Sequence, residues 1–424
     1  MVLKEKALAF FSLSLVLTLA WPGTSNSLDL NGFVEGAMGV RFQDDTTKKD
    51  SYNLLETRLQ LKGSHSPDIK EEWTPEINFK FDLVADGYEE HIRFITRTLA
   101  ISFTPTENID VKLGRQILTW GTGDLLFIND LFPKDYVSFF SGRHDEYLKL
   151  PSDAVKLSIF ADRASFDIVL TPVMEANNSI TGKRFSFYDG LTLSLTGEEA
   201  GRDFVEPDET IDNMEFSLRA YRTFNSFEGA LYIFRGFYKE PRGILNAFSR
   251  QFFYPRLSVY GASLRGPVFG GIGSLEAGYY DSRQDRSGDD PNIENPAIKF
   301  LAGYSKDMGG ELNLGFQYLI EEMLEYSAYV ANLGAGEAKR DEFRHLITTR
   351  VTKLFMDQTL MAGIFIFYSP TDRDAYLRPQ ASYDISDALK VSGGANIFIG
   401  KEIETELGQF QRNDNLYIRV RLSF

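Results

Sequence analysis

Residues 414–424 read DNLYIRVRLSF, and the reading of this stretch decides the fold. Leu416, Ile418, Val420, Leu422 and Phe424 fall on one side, and Tyr417, Arg419, Arg421 and Ser423 on the other. Successive Cβ atoms of a strand point in opposite directions, so strict alternation marks a strand with one apolar and one polar face. One such strand fits the edge of a soluble sandwich as well as the wall of a membrane barrel. The choice turns on how often the pattern recurs.

It recurs along the chain. Val34, Gly36, Met38 and Val40 alternate with Phe33, Glu35 and Arg41, and Leu55, Thr57, Leu59 and Leu61 with Glu56, Arg58 and Gln60. Ile77, Phe79, Phe81 and Leu83 alternate in the same way with Asn78, Lys80 and Asp82. A helix would place its apolar residues three and four apart, not two. About 18 segments carry the pattern, each near the ~9–11 residues that a tilted strand needs to cross a bilayer. They lie at 30–42, 51–62, 74–85, 91–104, 109–120, 153–161, 164–172, 213–222, 227–237, 256–264, 270–280, 296–305, 311–321, 344–355, 358–368, 374–385, 388–399 and 414–424. An even number suits closure of an antiparallel ring.

The connections sharpen this expectation. From the fourth segment onward, short ones such as 104–108, 162–163 and 224–226 take turns with long ones at 121–152, 173–212, 238–255, 281–295, 322–343 and 400–413. A barrel with tight turns at one end and long loops at the other produces that rhythm, and a sandwich does not. The turn at 63–73 is longer than the scheme requires. Residues 184–196, RFSFYDGLTLSL and its flanks, read as a hairpin with a type I′ turn at Asp189-Gly190, either within a loop or as two more wall strands making a total of 20. The expected fold is all-β: a closed transmembrane antiparallel β-barrel of about 18 strands, spanning residues 28–424.

Composition agrees. Residues 1–27 show two lysines, an apolar run from Ala7 to Ala20 and small residues at Ser25 and Ser27, the order of a secretory signal peptide. There is no Cys, which removes disulfides and thiolate metal sites. Lys plus Arg total 45 against 60 for Asp plus Glu, and the resulting −15 disfavours nucleic acid as a partner. Aromatic residues make up 14%, which suits girdles at two lipid interfaces.

Residues 113–136, LGRQILTWGTGDLLFINDLFPKDY, form the most distinctive internal stretch. A strand runs out through Gly114, Arg115, Gln116, Trp120 and Gly121, and a loop at 121–152 follows. Arg115 falls on the apolar face of its strand, which a bulge at Gly114 would correct. Otherwise it lies beyond the apolar band or under the loop. Leu125, Leu126, Phe127, Ile128, Leu131 and Phe132 make the loop too apolar to stand in water, so it is expected to fold inward, as a constriction carrying Asp124, Asp130, Asp135 and Arg143 or as a plug. Carried strand by strand, the alternation lines the lumen with Arg41, Arg58, Lys80, Lys112, Lys156, Arg219, Lys299, Arg378, Lys390, Arg419 and Arg421. The inward acids are fewer: Glu35, Glu56, Asp82, Asp167, Glu215, Glu276 and Asp384. A basic wall in an acidic protein favours anions, with Arg378, Arg419 and Arg421 foremost, unless these charges pair off to hold the strands together.

The terminal strand ending on Phe424 resembles the closing strand of bacterial outer-membrane barrels, where that ending is the insertion signal. Leu113-Gly114-Arg115-Gln116 with Trp120-Gly121, the strand pair ending in Pro172, and YLRPQASYDI (376–385) followed by Gly393-Gly394 together resemble a mostly uncharacterised porin-like family related to the alginate-export porins. That family's Pro-rich signature after Pro172 is replaced here by VMEANNSI. The resemblance implies a Gram-negative outer-membrane location and passive transport of small or polymeric hydrophilic solutes, anionic ones foremost. Lipid and lipopolysaccharide are the implied surroundings.

Enzyme signatures are missing from the sequence. His65, His91, His144 and His345 show no metalloprotease spacing, and no phosphate-binding loop or nucleophile elbow occurs. No cofactor is expected. Two other readings stand beside a channel: a barrel sleeve or scaffold for a periplasmic or surface partner, and an outer-membrane lipid hydrolase. The acids of 173–212 (Glu175, Asp189, Glu198, Glu199, Asp203, Glu206, Asp208, Glu209) and of 281–295 (Asp281, Asp285, Asp289, Asp290, Glu294) are expected outside. There they either stay solvated or meet lipopolysaccharide phosphates through divalent cations.

Overall fold

In the computed structural model, residues 29–424 are described except 44, 46, 49, 67–74 and 335–336. The expected leader at 1–27 lies outside the described residues, as does most of the connection 63–73. Eighteen strands form one sheet: β1 (Asp29–Arg41), β2 (Tyr52–His65), β3 (Glu76–Asp86), β4 (His91–Thr106), β5 (Ile109–Ile117), β6 (Pro151–Phe160), β7 (Ser165–Thr171), β8 (Glu215–Phe224) and β9 (Phe227–Phe237). The second half comprises β10 (Arg256–Val268), β11 (Gly271–Ser282), β12 (Ala297–Asp307), β13 (Leu312–Met323), β14 (Phe343–Phe355), β15 (Leu360–Ser369), β16 (Asp374–Asp384), β17 (Leu389–Ile399) and β18 (Asn415–Ser423). Each pairs antiparallel with the next, and β18 pairs with β1, so the ring is closed. The strand count and the all-β reading are both borne out.

Closure runs to the last residue. Phe33 stands opposite Ser423 and Arg41 opposite Asn415, while Gly32 and Phe424 exchange backbone hydrogen bonds of 2.9 and 3.0 Å. A closed ring leaves no unpaired edge, which is the condition for a sheet to stand in lipid. Outside it, Leu416, Ile418, Val420 and Leu422 are 49%, 52%, 44% and 52% exposed, and Leu231, Leu275, Phe300 and Phe316 continue the apolar surface around the ring. Charged groups lie on the other face, with Glu35, Glu56, Asp82, Asp167 and Glu276 all buried. Apolar outside and polar inside is the reverse of a soluble domain and defines a transmembrane barrel. No helix among the described residues is long and apolar enough to cross a membrane.

One local expectation needs correction, and two open alternatives are decided. Residues 187–189 and 194–196 do pair, but as a separate two-stranded hairpin in a loop, so the wall has 18 strands and not 20. The Asp189-Gly190 turn is not made either. Asp189 pairs with Ser194, four residues form the turn, and the positive φ falls on Leu193 at 51°. The Asp189 carboxylate is held in place by Arg202 and Arg250, which keeps that residue in the strand. The bulge at Gly114 is also absent, since the ladder to β6 runs unbroken from Ile109 to Ile117. Arg115 therefore stays on the outer face, at the long-loop end, where Asp153 (2.9 Å) and Glu175 (2.8 Å) neutralise it. One connection at the long-loop end beyond the fourth strand, 370–373, is short, so the alternation of connection lengths is incomplete.

Val420 lies on the apolar outer face, opposite Gly36 of β1 and Val391 of β17. Val420→Arg is expected to destabilise the folded barrel by about 2–4 kcal/mol if it sits at the bilayer midplane. Reversible unfolding from lipid vesicles measures this, and an unchanged midpoint would contradict the assigned face.

Candidate functional site

Segment 118–150 connects β5 to β6 and touches most of the inner wall. Its course begins at Gly121, whose φ of 83° turns the chain beside β11, where a side-chain Cβ would come within 2.7 Å of the Glu276 carboxylate. Glu276 is 2% exposed and accepts five hydrogen bonds from the segment. Thr122 donates from its backbone N (2.6 Å) and hydroxyl (2.9 Å), Gly123 from N (3.2 Å), and Asn129 from N (2.8 Å) and Nδ2 (3.0 Å). A buried carboxylate is tolerable only when satisfied in this way. On β13, Gln317 accepts from Asp124 N (2.7 Å) and donates to its carbonyl (2.8 Å), and on β14 Arg350 pairs with the Asp124 carboxylate at 2.6 Å. Leu126 and Ile128 pack against Leu257, Val259, Leu301 and Leu319 from the same side of the ring.

The segment then crosses to the opposite wall. A short helix, α1 (Tyr136–Ser141), starts at Asp135, whose side chain accepts from Ser138 N at 2.7 Å. It ends at Gly142 with φ 84°, a left-handed conformation that glycine adopts without strain. Phe139 and Phe140 carry the buried contacts, packing edge-on against Tyr376 and, for Phe140, Phe398. The end of the helix leaves carbonyls without intrahelical partners. That of Phe140 accepts from Asn396 of β17 (2.9 Å) and Asn415 of β18 (3.2 Å).

Beyond α1 the contacts become ionic. Arg143 is buried and meets Glu56 of β2 at 2.8 Å and Asp86 of β3 at 3.4 Å. Arg184, from the next long loop, shares the same Asp86 carboxylate, so two loops are tied to one wall position. Arg58 completes the cluster between Glu56 and Asp82 and stacks over the Tyr147 ring at 3.9 Å. Asp145 then pairs with Arg378 of β16 at 2.7 Å, and Glu146 with Lys80 of β3 at 2.7 Å and Arg421 of β18 at 3.6 Å. Arg421 lies near the end of β18 (Asn415–Ser423), so the segment descends most of the barrel's height.

The other residues singled out in the sequence fall into place around this segment. Asp130 is buried against Lys134 (3.0 Å) and Thr119 (2.7 Å), so it and the helix-capping Asp135 shape the loop itself. Gln116 is buried and donates to the Ala154 carbonyl, and Trp120 lies edge-on to Phe132 at 5.1 Å. Arg41 donates to the carbonyls of Tyr52 (2.9 Å) and Arg184 (2.7 Å). Lys156 and Arg219 lie 3.4 and 3.8 Å from Asp167, Lys299 pairs with Glu321 and Lys390 with Asp384. Lys112 stands directly across from Lys156, and Arg419 lies beside the Tyr417 ring with no carboxylate in an ion pair among the described residues. Arg344 and Arg350 were missed in the sequence, although they share the parity of the buried Leu346 and Thr348 on β14. Gln317, Asn396 and Asn415 were also missed; their signal is a buried amide at an inward position.

Several acids of the long loops are engaged by neighbouring groups. Asp189 is fully buried, Asp281 holds Arg286 at 2.6 and 2.7 Å, and Asp285 accepts from the backbone N of Asp289 and Asp290. Glu294 pairs with Arg242 and Arg340, which holds its carboxyl down at about 2 although burial pulls the other way. Among the described residues no group of three or more His, Asp or Glu is placed to hold a metal ion.

No family model matches this chain, and no curated protein does. Solved structures do. The chain resembles OccK11 (OpdR) of Pseudomonas aeruginosa with a TM-score of 0.51 at 9% identity, covering 94% of each chain. It also resembles OmpF of Salmonella typhi, solved in complex with daunomycin, with a TM-score of 0.47 at 11% identity over 94% of this chain and 98% of that one. The likeness concerns the fold: this is a closed 18-stranded barrel of the porin structural class.

Acid should loosen the central segment. Burial works to raise the pKa of Asp145, and the Arg378 guanidinium outweighs it, holding the group below the usual carboxylate range. Burial likewise opposes ionisation of Glu146, and hydrogen bonding and attraction to Lys80 prevail. A depressed folded pKa gives stabilisation that is present above the unfolded value of ~4 and lost as pH falls through the folded one. Burial and the Arg419 charge lower the pKa of His144, so it contributes no transition near pH 6.5. Acrylamide quenching of Trp120, in the leaderless chain with Trp73→Phe, should rise below pH ~4 from its value at pH 7. Quenching that stays flat down to pH 2 would contradict this.

Proposed function

We propose that this protein is an outer-membrane porin that passes small hydrophilic solutes by diffusion, with anions preferred. The observation that carries this reading is a closed ring whose inner face is charged and whose outer face is apolar. Such an object separates water from lipid along its whole height. The central segment does not line that face uniformly. Its hydrogen bonds and ion pairs among the described residues go to β2–β4, β11, β13, β14 and β16–β18, while Lys156 and Arg219 both face Asp167 of β7 and Lys112 faces Lys156. That sector is the one we assign to solute passage. The expected leader and the C-terminal Phe424 fit export and outer-membrane insertion, and the sequence resemblance to the relatives of alginate-export porins points the same way.

The anion preference rests on charges that remain uncompensated. Arg378 and Arg421, two of the three arginines first singled out, are engaged by Asp145 and Glu35. Lys112, with a second lysine directly opposite, and Arg419 carry the weight. Like charges facing each other across a ladder are unfavourable unless anions come between them. The reversal potential of the native barrel under a salt gradient in planar bilayers should show anion selectivity, reduced in the Lys112→Gln, Arg419→Gln double variant. Cation selectivity, or no change in the variant, would contradict the preference and leave an unselective pore.

A further inference from the structure

Positive charge gathers on the outer face of the ring, at the long-loop end of β9, β10 and β11. Arg235 stands opposite Ser258, and Ser258 opposite Asp281, in one outward row across the three strands. The row above it holds Arg256, opposite Phe237, and Arg283, whose backbone N donates to the Arg256 carbonyl at 3.0 Å. Arg286 reaches back to the Asp281 carboxylate with hydrogen bonds of 2.6 and 2.7 Å. Arg256 donates to the Asn213 side chain (2.7 Å) and Arg283 to the Gly236 carbonyl (2.9 Å). Among the described residues no ion pair engages Arg235, Arg256 or Arg283, so four arginines share one carboxylate in a chain of net charge −15. On the same rim the outward Arg115 has two carboxylates to itself. Burial, and then the charges of Arg235 and Arg256, push the Arg283 pKa down, Asp281 opposes them, and Arg286 adds to the lowering. Arg235 and Arg286 are exposed, which leaves the cluster open from outside the ring.

The next outward row toward the bilayer holds Ile233, Tyr260 and Tyr279, and the one after it Leu231, Ala262 and Ala277. Tyr260, Tyr279 and Leu231 are all exposed. Tyrosines in such a position mark the boundary between lipid headgroups and acyl chains. Cations above tyrosines above an apolar wall complement an amphiphile with an anionic head and hydrocarbon tails. We propose that Arg235, Arg256, Arg283 and Arg286 form a docking surface for a phosphomonoester headgroup of an outer-leaflet saccharolipid, the lipid A part of lipopolysaccharide. This rests on the barrel standing in an outer membrane and not on what it conducts. A phosphomonoester carries about −1.5 to −2 charges at neutral pH and three terminal oxygens, which match guanidinium forks and offset the repulsion among the arginines. A phosphodiester headgroup has less charge and fewer free oxygens. Free phosphate lacks the tails that would lie along the apolar rows.

Native mass spectrometry of the delipidated full barrel in detergent tests this, with chelator present so that no divalent cation joins lipid to the loop acids. The probes are lipid A with two phosphomonoesters, the same lipid with both removed, phosphatidylglycerol and inorganic phosphate. Lipid A should bind at least about ten-fold tighter than each of the other three, and the Arg235→Gln, Arg283→Gln double variant should weaken it by about ten-fold or more. Arg222→Gln removes an exposed outward arginine at the short-turn end of β8 and should leave lipid A binding unchanged. Circular dichroism and heat stability establish that each variant is folded. The docking surface would be overturned by no lipid A binding to the native barrel, or by any of the other three probes binding as well as lipid A. Binding unchanged in the folded double variant, or weakened as much by Arg222→Gln, would also overturn it. If the double variant does not fold, the single Arg235→Gln variant and the comparison of the four probes on the native barrel still decide.

Discussion

Everything in this protein depends on the seam between β18 and β1. A sheet in lipid cannot leave backbone donors and acceptors unpaired, and the seam converts an open sheet into a ring without edges. The pairing extends through Phe424, whose backbone bonds Gly32 in both directions. Once the ring is closed, the period of two does the rest. One face of each strand must be apolar toward lipid, and the other is free to carry charge. The inner face carries many charges, and each must find a counter-charge, a hydrogen bond or water.

Segment 118–150 answers part of that requirement. Glu276 would be a buried charge without acceptable company were it not for the five donors that the segment presents. Glu56 and Asp86 likewise depend on Arg143 and Arg184, which arrive from two different loops. Apolar contacts from Leu126, Ile128, Phe139 and Phe140 supply the adhesion, and the ionic contacts specify where each part of the segment docks. Removing one member of such a cluster would leave the others buried and uncompensated, so the docking is cooperative. The same logic isolates Arg419, which has no such partner.

Much of this was legible in the sequence because the governing pattern is local. Alternation in 414–424 and its repeats gave the strands, their faces and their number, since the period of a strand is read over a few residues. The apolar run Leu125–Phe132 announced a loop that could not remain in water. What stayed hidden was pairing between distant residues. Arg115 on an apolar face left a bulge at Gly114, a place beyond the apolar band and burial under the loop as alternatives, and Asp153 and Glu175 meet it on the outer face. Asp189 read as a turn residue and an exposed acid, yet two arginines, 13 and 61 residues away, bury it in a strand. Asp130 and Asp135 read as channel acids and serve the loop's own structure. In each case the outcome was set by a charge brought close by the fold.

Segment 118–150 lies inside the ring, where it would narrow the proposed channel. Single-channel conductance in planar bilayers tests this most directly, comparing the native barrel with one in which residues 122–147 are replaced by a short Gly-Ser linker. Circular dichroism and heat stability would establish that the shortened barrel still folds. The native barrel should conduct measurably, and the barrel without the segment several-fold more. Equal conductance in the two folded forms would contradict the claim, and silence in both would mark the barrel as a sleeve and not a channel.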